Sequence, residues 1–234
     1  MKTINTYILS KIKNETNILS KINKETNITE KLRISKPTGK VKHTLFPETK
    51  YELVEMIQDE IKQNGDECSL NHIDTSKLTD MRKLFSYGET KDFNGDISQW
   101  DVSNVTDMYA MFANSKFTAE NGDITDWDVS NVTNMGFMFY NTRFNGDLSG
   151  WDVSNVTNME HMFAKSRFNN NSICRWNVLK VKDISSMFNQ TPFNQDLSTW
   201  TIYKDTCTIC WFDRCPIENK SKFHPLFINS NHPK

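Results

Sequence analysis

Apolar residues are scarce in this sequence. They make up 37% of the 234 residues, and the eight glycines raise that share only to about 40%, below the roughly 45–50% that globular domains reach by the same count. No apolar run approaches the roughly 18 residues that a membrane-spanning helix needs. Aromatic residues nevertheless reach 12%, which excludes the aromatic-poor composition of disordered chains. A thin, repetitive core fits this composition better than a thick spherical one.

Cysteines and catalytic motifs are sparse as well. The five cysteines are an odd number, and no secretory apolar segment precedes them, so we interpret them as reduced thiols rather than a disulfide framework. The glycine-rich phosphate loops are missing, and none of the five histidines lies in an H-E-x-x-H motif or a nucleophile elbow. The sequence therefore predicts a protein that is not an enzyme and takes no cofactor or small-molecule substrate. With no signal sequence or lipid-attachment cysteine, we expect a cytoplasmic, host-intracellular or virion location.

The net charge of −1 combines two oppositely charged segments. Residues 1–43 carry a net charge of +7, and residues 44–234 carry −8. The acidic body argues against nucleic-acid binding by the main domain. The basic arm, interpreted as partly helical or disordered, could contact nucleic acid or an anionic membrane, or could simply keep a tail soluble. Pro37-Thr38-Gly39 marks its boundary.

An internal repeat dominates the body. Tryptophan recurs at spacings of 24 to 27 residues, and Ile73 lies one repeat before the first of these tryptophans. Each of the six positions is followed twelve residues later by phenylalanine, a regularity that indicates a stack of repeated units. The positions are Ile73, Trp100, Trp127, Trp151, Trp176 and Trp200, followed by Phe85, Phe112, Phe139, Phe163, Phe188 and Phe212.

The apolar period changes within each unit. Ile97, Trp100 and Val102 follow L-x-x-L-x-L, the strand signature of leucine-rich repeats. Met108 and Met111 then have the spacing of a short helical turn that faces inward, and N-G-D or a variant turns the chain into the next unit. Because one unit cannot bury its own apolar face, neighbours must stack. We therefore predict an α/β fold, a leucine-rich-repeat-like right-handed solenoid of about six units of 24–27 residues.

Both ends of such a stack need caps. A capping box at Thr49-Lys50-Tyr51-Glu52, followed by apolar residues at helical spacing and a stop at Asn64-Gly65, predicts an N-terminal capping helix over 48–64. The degenerate sixth unit and Cys215-Pro216-Ile217 are expected to cap the other end. The predicted domains are a basic arm (1–43), a capped solenoid (44–217, with repeats over 70–215) and a C-terminal tail (218–234).

The repeated motif W-D-V-S-N-V-T-x-M resembles the repeats of BspA-like leucine-rich-repeat proteins. That family includes bacterial and protist surface proteins and mycoplasma lipoproteins, and some giant viruses carry related repeats. The resemblance covers about residues 46–217 and implies a leucine-rich-repeat fold with an adhesion or protein-binding role. It leaves the partner open, since one scaffold carries many binding surfaces.

The x positions of L-x-x-L-x-L are expected to face the concave surface of the solenoid. We predict that the protein is monomeric and that a protein partner binds on this surface. Aspartates repeat in one of these columns, and neighbouring carboxylates about 4.8 Å apart repel by roughly 1 kcal/mol in water. A basic partner, a Ca²⁺ ion, or local hydrogen bonds from Ser103-type hydroxyls and backbone amides would offset that repulsion. The candidate partner-binding residues are Gln99, Asp101, Asp126, Asp128, Asp152 and Arg175.

Two further patterns have structural and functional interpretations. Asn104, Asn131 and Asn155 begin N-V-T glycosylation sequons, but we interpret them as a ladder that satisfies backbone groups in turns. Four residues near the C-terminus could supply zinc ligands, although their spacing is unusual and we predict no bound metal. They are Cys207, Cys210, Cys215 and His224.

Overall fold

A computed structural model describes residues 42–229. Most of the predicted basic arm (1–43) and the end of the predicted tail (218–234) lie outside the described residues. Within 42–229, no helix is long and apolar enough to cross a membrane. The regular elements of this described range are one helix, α1 (Lys50–Asn64), two short strands and three 3-10 turns at Gly88–Asp92, Asn171–Ile173 and Ser221–Phe223.

Helix α1 runs Lys50–Asn64, within the predicted range. The Glu52 amide donates to the Thr49 hydroxyl (3.2 Å), as the predicted capping box requires. The Glu52 carboxylate accepts from the amide of Glu48 (2.7 Å), one residue before the N-cap. Gly65 ends the helix at φ 84°, and its amide donates to the Ile61 carbonyl. Buried Leu53 and Ile57 join the helix to the core of the first repeat unit.

Successive units are joined at a segment that we call the strip. Each unit has one strip, a run of seven residues that begins at the first of the two methionine positions of the repeat. In the second unit the strip is residues 108–114. The amides of Met108, Ala110, Phe112 and Asn114 all donate to carbonyls of the next unit at 2.8–3.0 Å. Parallel bridges precede the strips at equivalent positions through six units: Asp80, Asp107, Asn134, Asn158, Asp183 and Cys207.

The remaining amides of the strip are satisfied within the unit. Met111 donates to the Met108 carbonyl and Ala113 to the Ala110 carbonyl, both at 3.1 Å. The Tyr109 amide donates to Asp107 Oδ1 at 2.9 Å. This last bond explains why an aspartate or asparagine precedes the strip in the first five units, because its short side chain closes a local turn.

The strip is therefore a chain of turns rather than the predicted helical turn. Ala110 has φ 54°, which reverses alternate peptide planes and lets every second amide face the next unit. The equivalent residues of the other five units share this left-handed conformation: Lys83, Phe137, His161, Ser186 and Cys210. The methionines and phenylalanines still face inward, as predicted.

Strands are fewer than the leucine-rich-repeat signature predicts. Strand β1 (Thr201–Tyr203) lies in the sixth unit and pairs in parallel with β2 (Leu226–Ile228). In the described units before it, the L-x-x-L-x-L segments form turns, and tryptophan side chains join the units there. Trp100 Nε1, for example, donates to the Leu70 carbonyl at 2.9 Å. Residues 221–228 were predicted as part of the tail. They instead pack on the sixth unit, because β2 pairs in parallel with β1 of that unit.

The core consists of aligned columns of large side chains. The repeated phenylalanines are buried in all six units, and they stack along the protein: the Phe139 ring centroid lies 5.5 Å from Phe112 and 5.8 Å from Phe163. A second phenylalanine column, represented by Phe144, packs against the first at 4.0 Å. The predicted core columns of tryptophan, methionine and phenylalanine are confirmed.

The strips also align their peptide dipoles. Every inter-unit strip bond runs from an amide of one unit to a carbonyl of the next, so carbonyls face the N-terminal end of the stack and amides face the C-terminal end. Aligned peptide groups favour cations at a carbonyl end and anions at an amide end. The charges agree: Lys50 Nζ lies 3.5 Å from the Arg82 carbonyl, whereas Glu218 accepts from the Arg214 amide at 3.2 Å.

Asp80 at the carbonyl end should make stability depend on acidity. Its burial raises the pKa, but hydrogen bonds from Arg82 and Lys50 outweigh burial and hold it at about 2 instead of 3.8. A pKa lower in the folded state stabilises the fold above the unfolded value, and this stabilisation is lost as the pH falls toward 2. We expect Asp80→Asn to lower the free energy of unfolding by about 1 kcal/mol at pH 7, after allowance for partial exposure.

Urea unfolding of both proteins between pH 7 and pH 2 checks this expectation, and the difference should shrink toward pH 2. Asp183→Asn is the matched control, since Asp183 occupies the same column and has no ion pair among the described residues. Asparagine keeps the local amide bond at both positions. A difference for Asp80→Asn that did not change with pH would contradict the assignment.

Candidate functional site

The predicted aspartate column makes local hydrogen bonds. Asp101 Oδ1 accepts from the Ser103 amide (3.0 Å) and hydroxyl (2.6 Å), and Asp152 Oδ1 accepts from the Ser154 amide (3.0 Å). The amide bond from Ser154 is the main cause of a lowered pKa at Asp152. The local hydrogen bonds expected in the structural alternative are therefore present at these carboxylates. Asp128 makes the same bond to Ser130.

The other predicted binding residues differ in how exposed they are. Gln99 is half-buried; its amide donates to Asn71 Oδ1 at 2.9 Å and its side chain to the Ser98 hydroxyl at 3.2 Å. Asp126 and Arg175 are exposed. Gln99, Asp126 and Arg175 occupy the column directly before the tryptophans in three different units. Binding of a partner to this column and to the aspartate column stays a prediction.

The asparagines of the N-V-T motifs join the units. Asn104 Nδ2 donates to the Ser76 carbonyl (2.8 Å), and Asn131 Nδ2 donates to the Ser103 carbonyl (2.8 Å). Asn155 repeats the contact with the carbonyl of Ser130. The predicted ladder is confirmed, because each side-chain amide satisfies a backbone carbonyl of the preceding unit.

Cys215 and His224, two of the four candidate zinc ligands, make separate hydrogen bonds. Cys215 is buried, its thiol donates to the Phe193 carbonyl at 3.0 Å, and burial raises its pKa. His224 Nε2 lies 2.9 Å from the Ile217 carbonyl. Cys207 and Cys210 are the remaining members of the hypothetical zinc set. Among residues 42–229, no three His, Cys, Asp or Glu side chains are placed to hold a metal ion.

A half-buried aromatic patch on the strips was not predicted. We use the name aromatic patch for Tyr109, Phe137, Tyr140 and His161. The rings of Phe137 and His161 stack at 4.5 Å with an interplanar angle of 8°. Tyr109 and Tyr140 each lie 5.5 Å from Phe137, so Phe137 is the centre of the patch.

The patch has a polar rim and a ring nitrogen that is unpaired among residues 42–229. Lys83 Nζ lies 6.0 Å from the ring centre of Tyr109, and Lys165 Nζ lies 5.4 Å from that of Tyr140, within the range of cation–π attraction. Burial and the nearby carboxylate of Glu160 raise the pKa of Tyr109. His161 Nδ1 is buried without a hydrogen-bond partner in the described part of the chain.

The backbone holds these rings outward at a conformational cost. Phe137 (φ 57°) and His161 (φ 53°) are left-handed, a conformation that large side chains rarely adopt. Other units place Ala110, Ser186 or Cys210 at the same position. The strip geometry requires the conformation in every unit, so the aromatic side chains in the third and fourth units are not needed for the strip itself.

A cleft adjoins the aromatic patch at Tyr109. It has a volume of about 620 Å³ and lies between helix α1 and the first strips. Tyr51, Lys83 and Tyr109 are among its lining residues, and Tyr51 is one of the most exposed aromatic residues of the protein. The sequence contains a signal for this surface, because aromatic residues occupy variable strip positions in the second to fourth units. The repeat, however, is defined by the columns that the units share, and these positions are not among them.

The sequence matches a family described as "Mycoplasma protein of unknown function, DUF285" over residues 52–163 and 114–222. The two overlapping matches together cover residues 52–222, which is most of the chain. The chain belongs to the DUF285 family. The predicted mycoplasma-like character agrees with this family at the level of its description. No curated protein and no solved structure matches the DUF285 chain.

Proposed function

We propose that this DUF285 protein is a non-enzymatic interaction module that binds a protein partner through the aromatic patch and the adjoining cleft. The observation that carries the proposal is the pair of stacked, half-buried rings of Phe137 and His161 on two neighbouring, hydrogen-bonded strips. Binding surfaces are enriched in aromatic residues with polar rims, because rings bury a large area with few freely rotating bonds. The patch has that composition, with Lys83 and Lys165 at its edge.

We further propose that the repeats are of the BspA-like leucine-rich-repeat type and that the whole stack is a right-handed solenoid. Parallel bridges at equivalent positions in successive units and continuous aromatic columns support this proposal. In such a stack each unit contacts its neighbours, so surface residues can vary while the core columns are kept. The aromatic patch is then one variable surface on a repeated frame.

The aromatic patch differs from the predicted aspartate surface in a way that an experiment can separate. Asp101, Asp128 and Asp152 each accept a local hydrogen bond at Oδ1, whereas His161 Nδ1 has no hydrogen-bond partner within the described residues. We therefore expect the patch to contribute more binding energy. A basic partner on the aspartate column is the competing version.

Two variants distinguish these surfaces. Phe137→Ala with His161→Ala removes the stacked pair, and the loss of such a binding centre costs about 2 kcal/mol or more, roughly thirtyfold in affinity. Asp126→Asn with Arg175→Ala changes the predicted column at exposed positions. Cross-linking in the native host identifies a partner, and isothermal titration with the purified partner measures each variant.

A thirtyfold loss confined to the Phe137/His161 variant supports the proposal, and a loss confined to the Asp126/Arg175 variant overturns it in favour of the aspartate surface. Both variants replace partly or fully exposed side chains, so circular dichroism should show an unchanged fold. A partner lost only when residues 1–41 are removed would instead favour binding through the basic arm.

A further inference from the structure

Within the described residues, the C-terminal strip has amides without acceptors. In each of the other five units, the first, third and fifth strip amides donate to carbonyls of the next unit. The sixth strip, residues 208–214, keeps the same fold: Trp211 donates to the Thr208 carbonyl and Asp213 to the Cys210 carbonyl at 3.2 Å. Within residues 42–229, however, no acceptor faces the amides of Thr208, Cys210 and Phe212.

A cysteine before the sixth strip leaves a fourth amide without a partner in the described part of the chain. The bridge residue of the first five units is aspartate or asparagine, and its side chain accepts from the second strip amide, as Asp183 accepts from Ser185 at 2.8 Å. The sixth unit has Cys207 at that position. The Ile209 amide consequently also lacks an acceptor among the described residues.

The strip borders a groove whose walls are partly apolar, with Asp213 and Glu218 also in its lining. Trp211, Phe212 and Phe227 line a space of about 360 Å³, and Ile209 (70% exposed) and Phe227 (42% exposed) leave apolar surface uncovered. Trp211 is itself only 5% exposed, yet its Nε1 has no hydrogen-bond partner in the described structure. Donors and apolar surface thus converge here, and a ligand must offer acceptors together with apolar groups.

We infer that this open edge binds an extended peptide segment of a partner chain, which adds to the stack as a further strip. Its carbonyls would accept from Thr208, Cys210 and Phe212, continuing the hydrogen-bond pattern that already joins six units. Addition of a peptide to an exposed edge obtains affinity from backbone bonds and specificity from side-chain pockets. Ile209 and Phe227 supply the apolar contacts.

A second copy of this chain is a poorer occupant. Two C-terminal edges both present donors and cannot pair with each other. The complementary carbonyl edge, at the first strip, is covered: the Thr90 hydroxyl donates to the Leu84 carbonyl at 2.9 Å, and Lys50 lies against the Arg82 carbonyl. The amide edge of the sixth strip is also distinct from the aromatic patch. Peptide binding at the edge and partner binding at the patch can therefore be tested independently.

The test uses the full chain and a fluorescent synthetic peptide of residues 157–167, which contains the fourth strip. That segment offers its carbonyls to a preceding strip in the intact protein. We expect saturable binding by fluorescence anisotropy, with a peptide of scrambled sequence binding at least tenfold more weakly. Amide exchange should slow at least tenfold at Thr208, Cys210 and Phe212 when the peptide is bound.

Ile209→Asp places a carboxylate beside the donors, where it repels carbonyl oxygens, and should weaken binding at least tenfold. Leu179→Asp is the matched control, since Leu179 is exposed (38%) on another unit, and should leave binding unchanged. Both residues are exposed, so neither variant should unfold the protein. Equal binding by the Ile209→Asp variant, or unchanged exchange at the three amides, would overturn the inference. Protection of these amides by self-association without peptide would assign the edge to a second copy.

Discussion

Replacing Phe139 by alanine should lower the free energy of unfolding by about 4 kcal/mol. Phe139 is fully buried in a central unit, and its ring stacks on Phe112, Phe144 and Phe163. Truncation of a buried phenylalanine removes its transfer free energy and leaves a cavity, for a typical cost of about 3–5 kcal/mol. The neighbours cannot collapse into the cavity easily, because the strips on both sides hold them in register.

The effect should also reach beyond one unit. In a stack of repeats, stability is approximately a sum of unit terms and interface terms between neighbours. Phe139 contributes to the interfaces with the second and fourth units. We therefore expect the alanine variant to broaden the urea unfolding transition, or to split it into two steps, in addition to shifting its midpoint.

Urea unfolding followed by tryptophan fluorescence measures both effects. Phe46→Ala is the control, since Phe46 is 59% exposed and its loss should change the free energy by less than about 0.5 kcal/mol. A cost below about 1 kcal/mol for Phe139→Ala would show that the aromatic columns do not hold the units together.

The second large effect is expected from Gly95→Ala, at about 3 kcal/mol. A Cβ atom at Gly95 would collide with the carbonyl oxygen of Cys68 in the preceding unit, and it would lie 2.7 Å from Phe93 Cε2. The backbones of the two units approach closely here, as the 3.1 Å bond from the Asp96 amide to the same carbonyl shows. Excess volume in a packed region typically costs about 1–3 kcal/mol and occasionally more.

Gly136→Ala is the matched control for Gly95→Ala. The nearest atom to a Cβ at Gly136 is Asn158 Nδ2 at 3.1 Å, the end of a side chain that can move. Thermal unfolding of the two variants should therefore differ clearly, with a cost below about 1 kcal/mol for Gly136→Ala. Equal shifts would mean that the units can separate at Gly95 without losing the rest of their contacts.

Gly95 also illustrates how far the sequence reaches. The N-G-D segment predicts a turn, and the usual reason for glycine in a turn is a positive φ. Among the described glycines, only Gly65 and Gly88 have a positive φ. At Gly95 the reason is instead the close approach of another unit's backbone, at a residue 27 positions away in the sequence. A turn prediction uses only neighbouring residues and therefore does not include this contact.

The core and the capping helix could be predicted because their signals repeat or are local. The twelve-residue offset from tryptophan to phenylalanine recurs in unit after unit, and a side chain that recurs at one position of every unit must face the same way. The capping box of α1 depends on Thr49 and Glu52, which are three residues apart. The asparagine ladder followed from the same repetition.

The binding surfaces could not be predicted in this way, since they depend on what does not repeat. Phe137 and His161 lie in one column of adjacent units, but at that position the column varies, so their stacking becomes visible only when the units are in register. The unpaired amides of the sixth strip likewise depend on which unit has no successor strip within the described residues.

The repetition of the units, the side chains of the core columns and the start of the N-terminal helix all follow from the amino-acid sequence. Tertiary structure alone decided that the units are joined by turns whose alternate amides all point toward the next unit. That arrangement needs left-handed residues such as Ala110 and His161, which local propensity disfavours and only bonds between units stabilise. One end of the stack consequently presents carbonyls and the other presents amides, because peptide groups that point in one direction cannot satisfy their own ends.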